Sequence, residues 1–190
     1  MMHIRLTIAF FALLASSAST SAALRQDLHT PNRATVRLKP SAFANLPATI
    51  REYLERRGCE IPQSFTSKTP HNIIRGRFTT ATQIDIAVLC SKGGISTILV
   101  FRGRTTSNVA ELAPHPDETF MQVVDAGGVV GYSRALGVAN SSHIRQHNNE
   151  FGGPKPPPVD HDGLEDMFGE KPSVIWYWYR GQWLQLQGSD

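Results

Sequence analysis

Four carboxylates close together in the sequence are the side chains best suited to chemistry. They are Asp160, Asp162, Glu165 and Asp166. Oxygen ligands crowded on one loop could bind a hard cation such as Ca²⁺. An EF-hand loop has glycine sixth and glutamate twelfth, whereas a loop starting at Asp160 has Gly163 fourth and Lys171 twelfth. The pattern favours a solvated acidic turn leading into a short helix over residues 164–168. Asp160 and Asp162 stay as candidate metal ligands.

A pair of histidines, His143 and His147, forms the second candidate site. Their spacing of four residues places both imidazoles on one face of a helix, as in zinc proteases. Those enzymes have a glutamate base directly after the first histidine, and here Ile144 takes that place. A third ligand would have to come from a distant residue: Asp117, Glu118 or His161. Surface histidines on a polar helix are therefore the favoured interpretation.

No nucleophile with its base can be recognised in the sequence. His71, His115 and Ser133 form no readable set, and Ser133 has no glycine two residues after it, as a nucleophile elbow requires. A pair of carboxylates for glycoside cleavage stays open, because their separation in space is invisible in a sequence. The sequence Asn-Ser-Ser at residues 140–142 is a glycosylation sequon for a source that glycosylates exported proteins. The catalytic residues, if any, are unassigned.

The charge of the chain is small but unevenly distributed. A net charge of +3 over 190 residues is far too weak to indicate a nucleic-acid-binding protein. Residues 24–110 hold 13 Lys or Arg and 5 Asp or Glu, whereas residues 111–190 hold 5 and 11. The arginines that could form a basic patch are Arg75, Arg77, Arg102 and Arg104. Such a patch could bind an anionic envelope polymer or protein. The alternatives are a solvated sheet rim or mutual neutralisation of the two halves.

Two helices are expected to flank the central part of the chain. Apolar residues recur at helical spacing between residues 46 and 54, opposite a charged face. Asn45 could cap this helix, with Pro47 in its first turn, and Gly58 should end it. A second, more polar helix should begin after Asn140 or Ser141 and run to about residue 149.

Short apolar runs separated by glycines predict strands through the middle of the chain. The candidate strands are residues 73–78, 83–90, 95–101, 108–112, 121–125 and 129–136. The turn Lys92-Gly93-Gly94 should join the second and third of them as a hairpin. The proline-rich residues 152–158 cannot pair in a sheet, and a polyproline connector is expected there.

The C-terminal residues predict an aromatic β-hairpin. Residues 173–179 and 182–187 flank the two-residue turn Arg180-Gly181. Trp176 and Trp178 share one face of the first strand, and the tyrosines between and after them share the other. A strand that is apolar on both faces is usually central in its sheet. Core packing is therefore favoured over an aromatic binding platform.

The N-terminal 23 residues have the pattern of a signal peptide. Arg5 precedes an apolar run over residues 6–15, and small residues follow up to Ala23. Cleavage is expected after residue 22 or 23. The run is too short to span a bilayer, which takes about 20 apolar residues, although a short membrane anchor stays an alternative. The mature chain should be exported to the periplasm or the extracellular space, with no membrane span.

Export also gives the two cysteines a meaning. Cys59 and Cys90 are the only cysteines in the chain, and an oxidising compartment favours pairing them. Such a disulfide would tie the end of the first helix to a strand. Two buried thiols or a metal pair are the alternatives, but cysteines so far apart, with no CxxC motif, make a poor zinc site.

Two resemblances can be identified. Gly76-Arg77-Phe78, residues 85–88 (DIAV) and Gly93-Gly94 resemble one FG-GAP repeat of integrin-like propellers. That family holds calcium in an acidic loop, but residues 79–84 contain no carboxylate, and a propeller needs several repeats. The whole mature chain resembles uncharacterised secreted bacterial proteins, through RRGCEIPQ, GRFTTATQIDIAVLC and WYWYRGQWLQLQGSD. This likeness implies an exported, compact protein and no particular activity.

These observations predict an α+β fold with a mostly antiparallel sheet. An extended lead-in over residues 24–40 should precede a single domain over residues 41–190. The expected function is that of an exported, non-catalytic binding or envelope-associated domain without a cofactor. The alternative is a small secreted hydrolase that uses the carboxylates and histidines of the C-terminal half. An enzyme should gather these groups in a concave pocket, whereas a binding domain should leave them scattered.

Overall fold

A computed structural model describes residues 35–153, 155–169 and 171–186 of the chain. The predicted signal peptide and most of the predicted lead-in lie outside the described residues. Within them the chain forms two helices and twelve strands, all paired antiparallel. The fold is therefore mixed and dominated by β-sheet, as expected. No helix among the described residues is long and apolar enough to cross a membrane.

The elements follow one another along the chain with short connections. The helices are α1 (Ala48–Arg57) and α2 (Ser141–Phe151). The strands of the first half are β1 (Arg37–Leu38), β2 (Ile61–Pro62), β3 (Ile73–Gly76), β4 (Asp85–Lys92), β5 (Ile95–Phe101) and β6 (Val109–Pro116). Those of the second half are β7 (Met121–Val123), β8 (Val130–Tyr132), β9 (Arg134–Ala139), β10 (Gly163–Phe168), β11 (Lys171–Tyr179) and β12 (Gln182–Leu186).

Two four-stranded sheets organise the structure. The first sheet has the strand order β3-β4-β5-β6 and the second sheet β12-β11-β10-β9. Two small pairs, β1-β2 and β7-β8, lie beside them. The strand predicted over residues 95–101 corresponds to β5, and the one predicted over residues 83–90 corresponds to most of β4. The glycines of the turn between them, Gly93 and Gly94, have φ angles of 61° and 80°, which glycine adopts without steric cost.

Alternation along the strands divides the apolar residues into three layers. Successive side chains of a strand point to opposite faces, so Ala87 and Leu89 of β4 enter the core between the two sheets, where they join Leu136 and Leu164. The residues between them, Ile86 and Val88, pack on α1. On the outer face of the second sheet, buried Ile175 and Tyr177 pack against Ile144 of α2. The three apolar layers therefore lie between α1 and the first sheet, between the two sheets, and between the second sheet and α2.

The disulfide between Cys59 and Cys90 is present, and it confirms that prediction. The two Cα atoms lie 5.1 Å apart, and both residues are buried in the layer beneath α1. Cys59 follows Gly58, which ends α1 with a φ of 75°, and Cys90 lies in β4. The bond therefore joins the end of the helix to a central strand of the first sheet.

Two local predictions are wrong. Asn45 does not cap the first helix: the helix begins at Ala48 after Pro47, whose ψ of 140° places it outside the helix and not in its first turn. The short helix expected over residues 164–168 is strand β10 instead. Hydrogen bonding to β9 on one side and to β11 on the other outweighs the local preference of these residues.

The aromatic hairpin lies where the sequence predicts it. β11 pairs with both β10 and β12, so it is an interior strand of the second sheet. Trp176 packs against the core between the sheets, whereas Tyr177 is buried beneath α2. The turn residues Arg180 and Gly181 have φ angles of 49° and 86°. Both faces of β11 therefore carry packing contacts.

Candidate functional site

The carboxylates of residues 160–166 point in different directions. Asp160 and Asp162 lie on the loop before β10, beside the N-terminal end of α2. Glu165 and Asp166 are consecutive residues of β10, so they project from opposite faces of the second sheet. Glu165 faces α2, whereas Asp166 lies between the two sheets. The four carboxylates of residues 160–166 therefore do not form a single acidic site.

The loop carboxylates have structural partners of their own. Asp162 and Arg77 form two hydrogen bonds of 2.9 Å: the Arg77 N–H donates to Oδ2 of Asp162, and the Asp162 N–H donates to the Arg77 carbonyl. The Asp160 side chain is 79% exposed, and its Oδ1 lies 3.2 Å from the Tyr177 hydroxyl. Burial raises the pKa of Tyr177, so the phenol keeps its proton and donates. A cavity of about 270 Å³ lies beside these residues.

Calcium and zinc are expected to leave the stability of the protein unchanged. Among the described residues, no three His, Cys, Asp or Glu side chains are grouped to hold a metal ion. A cation that bound only the folded state would stabilise it by about 2.7 kcal/mol at a hundredfold excess over Kd, or roughly 5 to 10 °C in Tm. Thermal unfolding with millimolar calcium or zinc should differ from a chelator control by less than about 2 °C. A larger rise that disappears in Asp160→Asn/Asp162→Asn would contradict this prediction.

The two histidines of α2 bind protein groups on the second sheet. His143 Nε2 lies 3.1 Å from Oε1 of Glu165, and the Ser173 hydroxyl donates to the same oxygen at 2.5 Å. His147 is buried, and its Nε2 lies 2.9 Å from the Ser173 carbonyl oxygen. The hydroxyl proton of Ser173 thus goes to a carboxylate and not to an imidazole. These contacts fix α2 on the sheet.

The residues expected to complete a metal site with these histidines lie elsewhere. Asp117 is fully buried, and its Oδ2 accepts hydrogen bonds from Arg37 at 2.8 Å and Ser91 at 2.6 Å. Glu118 follows it in the same short 3-10 turn. The ring of His161 lies between two backbone carbonyl oxygens, each 3.0 Å from a ring nitrogen. The carboxylate that does reach His143 is Glu165, which sequence spacing did not connect with it.

Ser133, His71 and His115 are also apart from one another. The buried Ser133 hydroxyl donates to the Phe120 carbonyl at 2.7 Å. His71 Nε2 accepts the Ser64 N–H at 2.7 Å, which closes the loop between those two residues. His115 makes an edge contact with the Phe120 ring at 5.9 Å. None of the three contacts another as a base contacts its nucleophile.

The four arginines of the predicted basic patch lie at one edge of the first sheet, but the side chains of Arg75 and Arg102 diverge. β3 and β5 both run antiparallel to β4, so their last residues meet at the same edge. Arg75 donates to the carbonyl of Asn45, just before α1, whereas the Arg102 guanidinium lies 4.8 Å from the Trp178 ring in the second sheet. Arg77 bonds Asp162 through its backbone, as described above, and not through its guanidinium. The guanidinium groups of Arg75 and Arg102 therefore point towards different elements.

A concave site that the sequence did not mark lies at the other side of the fold. A cavity of about 410 Å³, within the usual range for ligand pockets, is lined by residues 35–36, Leu38 and residues 63–65, 67–70 and 130–132. Its apolar side chains are Val36, Leu38, Phe65, Pro70, Val130 and Tyr132. We call this hollow the Phe65 cavity. No single sequence motif could have marked it, because three distant segments each supply a part.

Exposed apolar side chains surround the Phe65 cavity. Val36 is 61% exposed and Phe65 is 42% exposed. Val123, 52% exposed, pairs across the ladder with Val130 of the lining, so the two side chains share a face. Such a gathering of apolar surface around a hollow is typical of a binding site.

The polar side chains that line the Phe65 cavity are mostly bonded within their own loop. The side-chain amide of Gln63 donates to the His71 carbonyl and accepts from the His71 N–H. The Ser67 hydroxyl donates to the Thr69 carbonyl. Ser64 and Thr66 share a hydrogen bond of 3.0 Å. Of the described residues in the lining, only Lys68 is charged, and it is exposed. The cavity is therefore apolar with a single positive charge at its edge.

A larger hollow between α2 and the proline-rich segment has a different character. It measures about 510 Å³, and its lining consists of Arg145, Asn148, Asn149 and residues 155–159. Two positive charges and two amides surround the proline rings there. The Phe65 cavity differs in its lining, since aliphatic and aromatic side chains reach it from three segments.

Comparisons with protein-family models, with curated proteins and with solved structures find no match for this chain. A functional interpretation therefore depends on the contacts, burial and charges described above. These point to the Phe65 cavity as the candidate functional site.

Proposed function

We propose that this protein is an exported, non-catalytic binding domain, and that its ligand occupies the Phe65 cavity. The observation that carries the proposal is the apolar lining of this cavity, with exposed Val36 and Phe65 at its opening. Burying such surface against an apolar ligand yields about 25 cal/mol per Å². The ligand is therefore a small molecule with an apolar body. The signal-like residues 1–23 and the disulfide support export.

The dispersal of reactive groups supports a non-catalytic role. His143 contacts Glu165, Asp160 lies on a loop beside Tyr177, and Ser133 donates to a backbone carbonyl. None of these groups lines the Phe65 cavity. A hydrolase needs its acid, base and nucleophile within hydrogen-bonding reach of one substrate position. Within the part of the chain that the structure describes, no such arrangement favours the hydrolase alternative.

An anionic envelope polymer is not the ligand that we propose. Of the four arginines expected to bind it, Arg75 contacts the segment before α1 and Arg102 the Trp178 ring of the second sheet, so these two charges point towards different elements. We also propose that residues 41–190 form one α+β domain, since β4 contributes to both the α1 layer and the core between the sheets. Strand β1, within the predicted lead-in, pairs with β2 and adds one wall of the cavity.

Phe65→Ser is expected to weaken binding of a neutral fluorescent apolar probe, 1-aminoanthracene, by about fivefold. The reason is that the change removes a half-exposed ring from the opening of the cavity. Ile84→Ser is the matched control, because Ile84 is 39% exposed and Phe65 42% exposed, and Ile84 does not line the cavity. Both variants should unfold close to the wild type.

Fluorescence titration of the probe into the three proteins decides the matter. The proposal requires saturable binding to the wild type and to Ile84→Ser. If the wild type binds no probe, or if both variants lose affinity equally, the Phe65 cavity is not the ligand site.

A further inference from the structure

We infer that the ligand of the Phe65 cavity is a single-chain amphiphile with an anionic head group, such as a medium-chain carboxylate, and that Lys68 binds its head. This inference rests on the proposed function and specifies the chemical class of the ligand. It follows from the charges and hydrogen bonds of the lining. Among the described residues, the lining contains one cation and no Asp or Glu.

The remaining polar groups of the lining have little capacity for a charged head group. Gln63 is bonded to the backbone of Ile61 and His71. Ser64 and Ser67 bond Thr66 and the Thr69 carbonyl. No hydrogen bond or ion pair of Lys68 occurs among the described residues. Its ammonium group is thus available to a ligand, and it lies at the exposed edge of the apolar walls.

The position of Lys68 matches the two-part chemistry of an amphiphile. Apolar side chains of β1 and β8 form the walls, and the exposed loop that carries Lys68 forms the edge. An alkyl chain against the walls would leave its carboxylate near solvent. There a lysine can pair with it at little desolvation cost. A cationic head group in the same place would meet the ammonium charge and be repelled.

Competition for bound 1-aminoanthracene tests this inference with three ten-carbon amphiphiles. They are decanoate, decanol and decyltrimethylammonium, used at pH 8, where the carboxylate is ionised. For the wild type we expect decanoate to displace the probe and decyltrimethylammonium to displace it more weakly. Lys68→Gln should weaken decanoate by about fivefold, as loss of one exposed ion pair implies. The affinity for decanol should change less than about twofold.

Lys92→Gln is the matched control, because Lys92 is also an exposed lysine but lines another cavity. It should leave the affinity for all three amphiphiles unchanged. Salt at 0.5 M should reduce the advantage of decanoate, since exposed charges are screened at that ionic strength. A head-group preference that is the same in Lys68→Gln as in the wild type would overturn the inference.

The outcomes separate this inference from the proposed function. In one outcome, decanol and decanoate both displace the probe from the wild type, Phe65→Ser weakens both to the same extent, and Lys68→Gln changes neither affinity. The cavity then binds apolar ligands, and only the head-group inference fails. If no amphiphile and no probe binds, the proposed function fails as well. If the protein instead sediments with phosphatidylglycerol vesicles and ignores decanoate, a membrane surface replaces the free amphiphile and overturns the inference.

Discussion

Arg134→Met is expected to lower the free energy of unfolding by about 3 to 5 kcal/mol. Arg134 is completely buried, and all five of its N–H groups donate hydrogen bonds. Nε and Nη2 donate to the two carboxylate oxygens of Asp166, each at 2.8 Å. Nη1 donates to the carbonyl and hydroxyl oxygens of Ser96, and Nη2 also donates to the Ala113 carbonyl, all at 2.9 Å.

The size of this effect follows from where the partners lie. Arg134 and Asp166 belong to the second sheet, whereas Ser96 and Ala113 belong to the first. One guanidinium therefore joins the two sheets. Methionine would leave the Asp166 carboxylate, which is only 10% exposed, without its partner, and an unpaired charge so largely removed from water is far more costly than the pair itself.

Arg57→Met is the matched control for this experiment. Arg57 forms a two-point ion pair with Glu111, at 2.6 and 2.7 Å, but its side chain is 31% exposed. Loss of a solvent-accessible pair typically costs at most about 1 kcal/mol. Arg134→Met/Asp166→Leu should recover part of the lost stability, because it removes both buried charges.

Urea unfolding followed by tryptophan fluorescence measures all four proteins. Equal midpoints for Arg134→Met and Arg57→Met would contradict the prediction. So would a double variant that is less stable than Arg134→Met, because the cost would then not come from the unpaired carboxylate.

Cys59→Ala/Cys90→Ala is expected to lower the free energy of unfolding by about 3 to 4 kcal/mol. The disulfide joins residues 31 positions apart, and in the chain-entropy account it restricts the unfolded chain by closing that loop. Because both cysteines are buried, with 4% and 3% exposure, a mild reductant should react slowly with the folded protein.

Reduced wild-type protein is the control for the double variant, since it lacks the bond but keeps both side chains. Intact-mass measurement after alkylation, with and without reductant under unfolding conditions, counts the thiols. Two alkylated cysteines in unreduced, freshly purified protein would refute the pairing. A reduced wild type as stable as the oxidised protein would show that the bond contributes nothing.

Local patterns were sufficient for many elements of this fold. The short apolar run at residues 95–101 and the two glycines before it mark β5 and its turn, because these features act within a few residues of one another. The alternating tryptophans and tyrosines marked β11 as an interior strand for the same reason. Residues 164–168 show the limit of such reasoning, since their strand conformation depends on β9 partners as distant in sequence as Arg134, which pairs with Phe168.

The candidate site was beyond the reach of sequence patterns. Nothing in the sequence connects Val36 with Phe65 or Val130, because the contacts arise from the pairing of β1 with β2 and from the Phe65 N–H bonded to the Tyr132 carbonyl. The conspicuous acidic run, in contrast, was dispersed by the alternation of β10. Because successive side chains of a strand point to opposite faces, carboxylates that are neighbours in the sequence need not lie together in space.

The sequence by itself determined the apolar alternation, the tight turns and the pair of cysteines, all of which depend on residue types and short-range geometry. Only the tertiary structure decided which side chains meet: Asp166 with Arg134, Glu165 with His143, and three separate segments around the Phe65 cavity. The physical reason is that a strand fixes which residues share a face. The register and packing of strands distant in sequence decide what that face contacts.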